Sequence, residues 1–270
     1  MNKKIIAAVL AVLTALTAIV FTACSGSGDD KDETKKTFVV GLDATFAPYG
    51  YQDDSGEIVG FDIDLAKEVA KRNNWEFKAQ PIKWAAKDSE LNAGTIDCIW
   101  NGFTMTGREN DYLWSEPYVD NSQVVVVKSD SGIEKLSDLA GKTVIAQQES
   151  SAEAALKDEE NEDMKALLAS FKSLDLVDEY DLAFANLDAG AADAIAMDIG
   201  VAQYKIKARG EDKYIILTEQ IAAEQYGIGF KLDNTELRDQ VQKTLDEMAA
   251  DGTFESIAKT WGLEQAIITK

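Results

Sequence analysis

Apolar positions along this chain fall into short runs separated by polar turns, and the runs follow two different periods. Phe38, Val39 and Val40 are consecutive, as in a short buried strand, whereas Ile63, Ala66, Val69 and Ala70 share one face of a helix over about 62–72. Asp62 is placed to cap that helix, and Asn73-Asn74 to close it. A strand over 77–82, a short helix ending near Ala93-Gly94 and a strand over 98–100 come next. Further on, the pattern predicts a strand over 143–146, a helix from Ser151, a strand around 174–177, a helix over 180–187 and a strand over 194–197. Leu237, Val241, Leu245 and Met248 mark a late helix stopped by Gly252, and Phe254, Ile257 and Trp261 mark another. Strands alternating with helices predict an α/β fold with a mostly parallel sheet.

Two of these units repeat one plan at a constant offset: Leu91, Gly94, Asp97 and Ile99, then Leu187, Gly190, Asp193 and Ile195. Such a repeat predicts two structurally similar halves. Each copy reads as a helix stopped by glycine, a short apolar strand and a polar loop. Ligands of open α/β sheets sit beyond the carboxyl ends of strands, and these two loops carry opposite charges, Arg108 and Asp198. A zwitterion held between the halves would satisfy both. Two other apolar segments, 123–128 and 226–231, read as crossovers that join an inserted second lobe to a first lobe made from both ends of the chain. The expected division is 37–125 and 228–270 for lobe 1, with 126–227 as lobe 2.

The composition narrows the function. The chain has 270 residues, 46% hydrophobic, enough for a sizeable core, and a formal charge of −21. That field repels nucleic acid and disfavours a direct grip on an anionic membrane surface. Lys3 and Lys4 precede an apolar run from Ile5 to about Ala23, the layout of an export signal, though the run is also long enough for an uncleaved anchor. Phe21-Thr22-Ala23-Cys24 resembles a bacterial lipoprotein cleavage site. That implies a signal peptide over 1–23, a lipid-bearing Cys24, a flexible tether over 24–36 and a place on the extracytoplasmic face of the cell membrane. Cys98 then lacks a disulfide partner and reads as a small core residue. With no histidine and one cysteine left, cysteine–histidine metal sites and histidine-based catalysis are excluded. No cofactor is expected.

Four motifs in order resemble the polar amino acid-binding proteins of bacterial ABC importers. They are Gly41-Leu42-Asp43-Ala44-Thr45-Phe46-Ala47-Pro48-Tyr49, Gly60-Phe61-Asp62-Ile63-Asp64-Leu65, Thr104-Met105-Thr106-Gly107-Arg108 and Ser115-Glu116-Pro117-Tyr118, and the likeness runs from about Phe38 to Leu263. It implies a periplasmic-binding-protein-like fold of two α/β lobes. Each lobe is a mostly parallel sheet flanked by helices, and two hinge strands join them. Such a protein closes on a free amino acid and delivers it to a membrane permease.

By the same resemblance Arg108 takes the ligand's α-carboxylate and Asp198 its α-ammonium. The chemistry agrees, since guanidinium meets carboxylate through two parallel hydrogen bonds and keeps its charge when buried. Asp198 is equally well placed to cap a helix over 199–204. Thr104 and Ser151 match positions where the family offers hydroxyls or backbone N–H groups to the carboxylate, and Ser151 also opens a helix. Phe46 and Trp84 match the aromatic walls around the ligand side chain. Asp43 stands where the family sometimes recognises polar or cationic ligand ends. Asn101, Gly102 and Gln147 complete the candidate set.

Two departures bear on this site. Only Gly107 separates Thr106 from Arg108, where the family usually has two residues, which predicts an altered angle for the guanidinium. Glu149 stands where the family often has glycine, and glutamate adopts a positive φ only at a cost. Glu149 also carries the alternative reading, a small-carboxylate dehydratase of the same fold. A third reading, a sensor domain, is disfavoured because no membrane or kinase segment follows Leu263. A monomeric binding protein without catalytic activity is the expectation.

Overall fold

The computed structural model describes residues 35–268, and the chain from Lys35 on forms one compact unit. The export signal, Cys24 and nearly all of the tether lie outside the described residues. Among the described residues no helix is long and apolar enough to cross a membrane.

The chain opens with β1 (Thr37–Leu42) and a small antiparallel sheet of β2 (Thr45–Phe46), β3 (Gly50–Gln52) and β4 (Ile58–Val59). Next come α1 (Phe61–Arg72), β5 (Glu76–Pro81), a 3₁₀ turn at Trp84–Ala86, α2 (Lys87–Ala93), β6 (Cys98–Thr104) and β7 (Leu113–Trp114). A long strand, β8 (Val119–Lys128), leads into β9 (Thr143–Gln147), α3 (Ser151–Leu156), α4 (Glu162–Ser170), β10 (Ser173–Val177) and α5 (Tyr180–Ala189). After β11 (Ala194–Asp198), α6 (Ile199–Arg209) and β12 (Tyr214–Ile216), a second long strand, β13 (Ala222–Phe230), returns to α7 (Thr235–Ala250) and α8 (Thr253–Trp261).

The main strands run in the order β10-β9-β11-β8-β13-β6-β1-β5. In one lobe β1 lies parallel between β5 and β6, and in the other β9 lies parallel between β10 and β11. The antiparallel pair β8 and β13 sits between these two parallel groups. The first half of β8 pairs with β13 and its second half with β11; β13 in turn continues onto β6. Both strands start earlier than their apolar runs, because the backbone ladder extends through Asp120-Asn121-Ser122 and Glu224-Gln225. Backbone N–H and C=O groups pair regardless of the side chain, so polarity hid these ends. The small β2–β4 sheet and the separate helix α4 carry no apolar run long enough to announce them.

β8 shows why a continuous apolar run belongs in the middle of a sheet. Val124 and Val126 pack into one core while Val125 and Val127 pack into the core on the opposite face. β6 does the same in the other lobe, with Cys98 and Trp100 on one face and Ile99 and Phe103 on the other.

The sequence repeat has a structural cause. α2 and α5 both end on a left-handed glycine, Gly94 at φ 74° and Gly190 at φ 72°. In each the next N–H reaches back five residues, Thr95 to the Glu90 carbonyl and Ala191 to that of Asn186. The repeated aspartates then clamp the neighbouring parallel strand. Asp97 Oδ2 accepts from Val39 N at 2.7 Å and Asp193 Oδ2 from Thr143 N at 2.8 Å. Each donates its own N–H back to that residue's carbonyl.

Asp62 differs from its expected role. Gly60 holds the N-cap position of α1, and the fully buried Asp62 carboxylate instead accepts from Gly102 N at 2.6 Å and Tyr118 Oη at 2.9 Å.

Candidate functional site

The carboxyl ends of β6, β9 and β11 converge on a narrow cavity between the lobes. Every candidate ligand residue except Asp43 lines it, together with Ser150, which the sequence reading passed over. Gly102 brings the backbone of β6 close to the cavity. It has φ 56°, and a Cβ there would meet Phe46 at 2.9 Å and Tyr226 at 3.0 Å. Asp62 holds the Gly102 N–H from beneath, so the Gly60-Phe61-Asp62 motif positions the floor of the site. Burial pushes the Asp62 carboxyl up to about 7, against the hydrogen bonds from Gly102 and Tyr118.

Arg108 reaches the cavity in spite of the short spacing before it. Met105 to Arg108 form a tight turn, with Arg108 N donating to the Met105 carbonyl at 2.9 Å and Gly107 at φ 79°. This folds the side chain back over its own strand. Nη1 donates to the Thr104 carbonyl at 3.2 Å, Nη2 to the Glu149 carbonyl at 3.2 Å, and the guanidinium lies 5.3 Å from the Phe103 ring centre. Gly107 supplies the positive φ that this tight turn needs.

Glu149 keeps a glycine-like backbone, with φ 60°. Its carbonyl accepts from both Arg108 and Trp84 Nε1, the latter at 3.1 Å, so the strained loop approaches the first lobe after all. Glu149 does not line the cavity, and its half-exposed carboxylate lies 3.9 Å from Lys87 Nζ. Burial lowers the pKa of Lys87, and the nearby Arg108 charge adds to the effect.

Asp43 lies outside the lining. Its carboxylate accepts from Thr45 N, Thr45 Oγ1 and Gln147 Nε2 at 2.7–2.9 Å, and it borders a separate, larger cavity with Asp178 and Glu179. Trp84 walls both cavities.

Asp198 occupies the N-cap position of α6 yet makes no capping bond with its side chain. Its Oδ1 accepts from Gln123 Nε2 at 2.6 Å, Tyr226 Oη at 2.7 Å and Asn121 Nδ2 at 2.8 Å, while Oδ2 faces Tyr180 Oη at 3.4 Å. Burial first, then the charge of Glu224, raises this carboxyl to about 7. Sequence reading missed Glu224, Asn121, Gln123 and Tyr180. The available signal for Glu224 was its phase, because it alternates with Tyr226 and Ile228, all three buried. Thr104 Oγ1 and Ser151 Oγ meet across the cleft at 3.0 Å. Among the described residues no group of three or more His, Cys, Asp or Glu side chains is arranged to hold a metal ion.

Two α/β lobes joined by a strand pair, with opposite charges facing one buried cleft, define a two-lobed solute-binding protein. Residues 38–264 match the bacterial extracellular solute-binding proteins, family 3, and the chain belongs to that family. A relative, the arginine-binding extracellular protein ArtP of Bacillus subtilis (strain 168), is 30% identical over 263 residues, covering 93% of this chain and 96% of its own. The crystal structure of an ABC uptake transporter substrate binding protein from Streptococcus pneumoniae with bound histidine is similar at a TM-score of 0.79. Its identity is 31%, over 83% of this chain and 92% of that one. The ancestral amino acid-binding protein AncCDT-1, a precursor of cyclohexadienyl dehydratase, gives a TM-score of 0.74 at 28% identity, over 83% and 95% of the two chains.

Proposed function

We propose that this chain is the extracytoplasmic receptor of an amino acid ABC importer, which captures a free amino acid between its lobes and hands it to the membrane permease. The observation that carries this reading is that Arg108, beyond β6, and Asp198, at the end of β11, line the same cavity from different lobes. A zwitterion with its carboxylate on Arg108 and its ammonium on Asp198 ties the lobes together. Ligand binding then shifts the lobes toward their closed arrangement. Thr104 and Ser151 supply hydroxyls to the carboxylate, Phe46 and Trp84 frame the side chain, and Asn101, Gly102 and Gln147 complete the wall. The relatives named for arginine and the structure holding histidine support an amino acid as the ligand class.

Lobe 1 comprises 37–125 and 228–270, and lobe 2 126–227, with β8 and β13 as the hinge strands. The leader over 1–23 directs export, and lipid on Cys24 anchors a monomer by the tether over 24–36. The binding role needs no catalytic step. Glu149, on which the dehydratase alternative depends, does not line the cavity.

The test is a thermal-shift screen of the full chain, kept in mild detergent, against the twenty standard amino acids, cystine, polyamines and dicarboxylates. A ligand at a hundred times its Kd adds about 2.7 kcal/mol, a rise in Tm of roughly 5–10 °C for a chain of this size. A shift with one amino acid or a small group of them supports the reading, and no shift with any of them overturns it.

A further inference from the structure

Strand register places two carboxylates side by side at the hinge. Glu224 on β13 stands opposite Asn121 on β8, and Gln123 on β8 stands opposite Asp198 on β11. Glu224 Oε1 and Asp198 Oδ1 therefore share two donors. Asn121 Nδ2 lies 2.6 Å from the first and 2.8 Å from the second, and Gln123 Nε2 lies 2.7 and 2.6 Å away. Oxygens that share a nitrogen are separated by at most two hydrogen-bond lengths. Glu224 Oε1 also accepts from Thr104 Oγ1 at 2.7 Å and Ser151 Oγ at 3.3 Å, drawing donors from both lobes.

This nook leaves acceptors without donors. The oxygen ends of the same two amides, Asn121 Oδ1 and Gln123 Oε1, are buried without a hydrogen-bond partner among the described residues. The titratable groups facing the pair are Tyr226 on its own strand, Tyr180 at the start of α5 and Tyr49 before β3; burial and the nearby carboxylates raise all three hydroxyls well above their ordinary value. Arg108, the charged group beyond Thr104, turns its guanidinium to two carbonyls. Among the described residues neither carboxylate has an ion-pair partner. Two like charges held this close do not both ionise readily without a cation.

We propose that Glu224 is a ligand-binding residue, paired with Asp198 as a two-carboxylate seat for the ligand's ammonium, and that filling the seat drives one proton off the pair into solvent. The inference rests on the amino acid-receptor reading above. Without ligand the pair keeps one proton and a single negative charge. On loading, that proton leaves for the buffer and the ammonium donates its three N–H groups to the two carboxylates and to one of the amide oxygens. The one covalent bond that changes is the carboxyl O–H, which breaks as its proton passes to the buffer base. The raised carboxyl of Asp198 agrees with a proton held near neutral pH.

The experiment is titration calorimetry of the full chain in detergent. Each standard amino acid is tried singly at pH 8, and the tightest one whose side chain does not titrate between pH 5 and 8 is then measured at pH 6 in phosphate and in imidazole buffer. The expected result is about one proton released per ligand, with Kd weakening roughly tenfold per unit as pH falls from 7 to 5. Glu224→Gln is expected to release far less and to show a flatter profile, while Glu224→Asp keeps the release; melting curves verify that each variant folds. Zero proton exchange by the wild type overturns the proposal, as does a Glu224→Gln variant that folds and releases as much as wild type. No binding of any amino acid at pH 8 overturns the receptor reading itself.

Discussion

Gln147 Nε2 donates to the Asp43 carboxylate at 2.7 Å, linking the carboxyl end of β9 in one lobe to the loop after β1 in the other. The same nitrogen lies 2.8 Å from the Asp178 carbonyl, so Gln147 joins three segments at the boundary between the two cavities. Asp43 is 5% exposed, and if Gln147 is removed Thr45 is the remaining donor to its carboxylate among the described residues. A hydrogen bond to a charged group contributes about 1.5–3 kcal/mol. Gln147→Leu is therefore expected to weaken amino acid binding by about that amount, measured by calorimetry. An unchanged Kd would show that this bond does not distinguish the closed arrangement.

Arg108→Ala is expected to lose about 2–5 kcal/mol of binding, as when one partner of a buried charge pair is truncated. The unliganded Tm should barely move, because the side chain is only partly buried and its partners are two carbonyls and a ring face. Arg108→Lys should recover little, since an ammonium cannot reproduce the planar fork that meets a carboxylate. Binding unchanged in Arg108→Ala would move the carboxylate site elsewhere in the cleft.

Asp62 makes stability depend on pH in a defined direction. Its carboxyl is raised to about 7 by burial, so between the ordinary aspartate value near 4 and about 7 the folded state holds a proton that the unfolded state has lost. Stability from this group is greatest at the acid end of that window and falls as pH rises through it. Asp62→Asn removes the titration while keeping the shape. The difference in Tm between variant and wild type should grow in favour of the variant from pH 4 to 7 and then level off, and a difference independent of pH would contradict the buried-proton account.

Glu149 holds φ 60°, which favours glycine and costs other residues about 1–2 kcal/mol. Its carboxylate contributes little in return, since it is half exposed and 3.9 Å from Lys87. The two cross-cleft bonds to its carbonyl belong to the backbone and survive substitution. Glu149→Gly is expected to raise stability by about 1 kcal/mol in denaturant unfolding without weakening ligand binding. A loss of stability would show that the Lys87 contact outweighs the strain.

Much of the architecture was legible from local pattern. Consecutive valines marked β8, the 3.6-residue spacing marked α1, α7 and α8, and the paired glycines at Gly94 and Gly190 ended their helices where expected, because burial periodicity and left-handed caps are properties of a few neighbouring residues. The motifs likewise brought nine of the ten candidate ligand residues to one cavity wall. Charged and polar side chains were harder. Asp62 and Asp198 both looked like helix caps, yet each turns its carboxylate to partners far away in the chain, the first to Gly102 and Tyr118, the second to Asn121, Gln123 and Tyr226. Glu224 carried only its phase, the alternation with Tyr226 and Ile228 that buries it, and nothing local that named a ligand role. Its setting exists because β8 pairs with β13 on one side and with β11 on the other, putting Asn121 opposite Glu224 and Gln123 opposite Asp198. The sequence by itself determined the apolar cores of most strands and helices, since those follow from neighbours within a few residues, but not the small β2–β4 sheet, α4 or the polar starts of β8 and β13. Only the tertiary structure decided which carboxylates share donors, because register between residues 75 and 103 positions apart in the chain sets those distances.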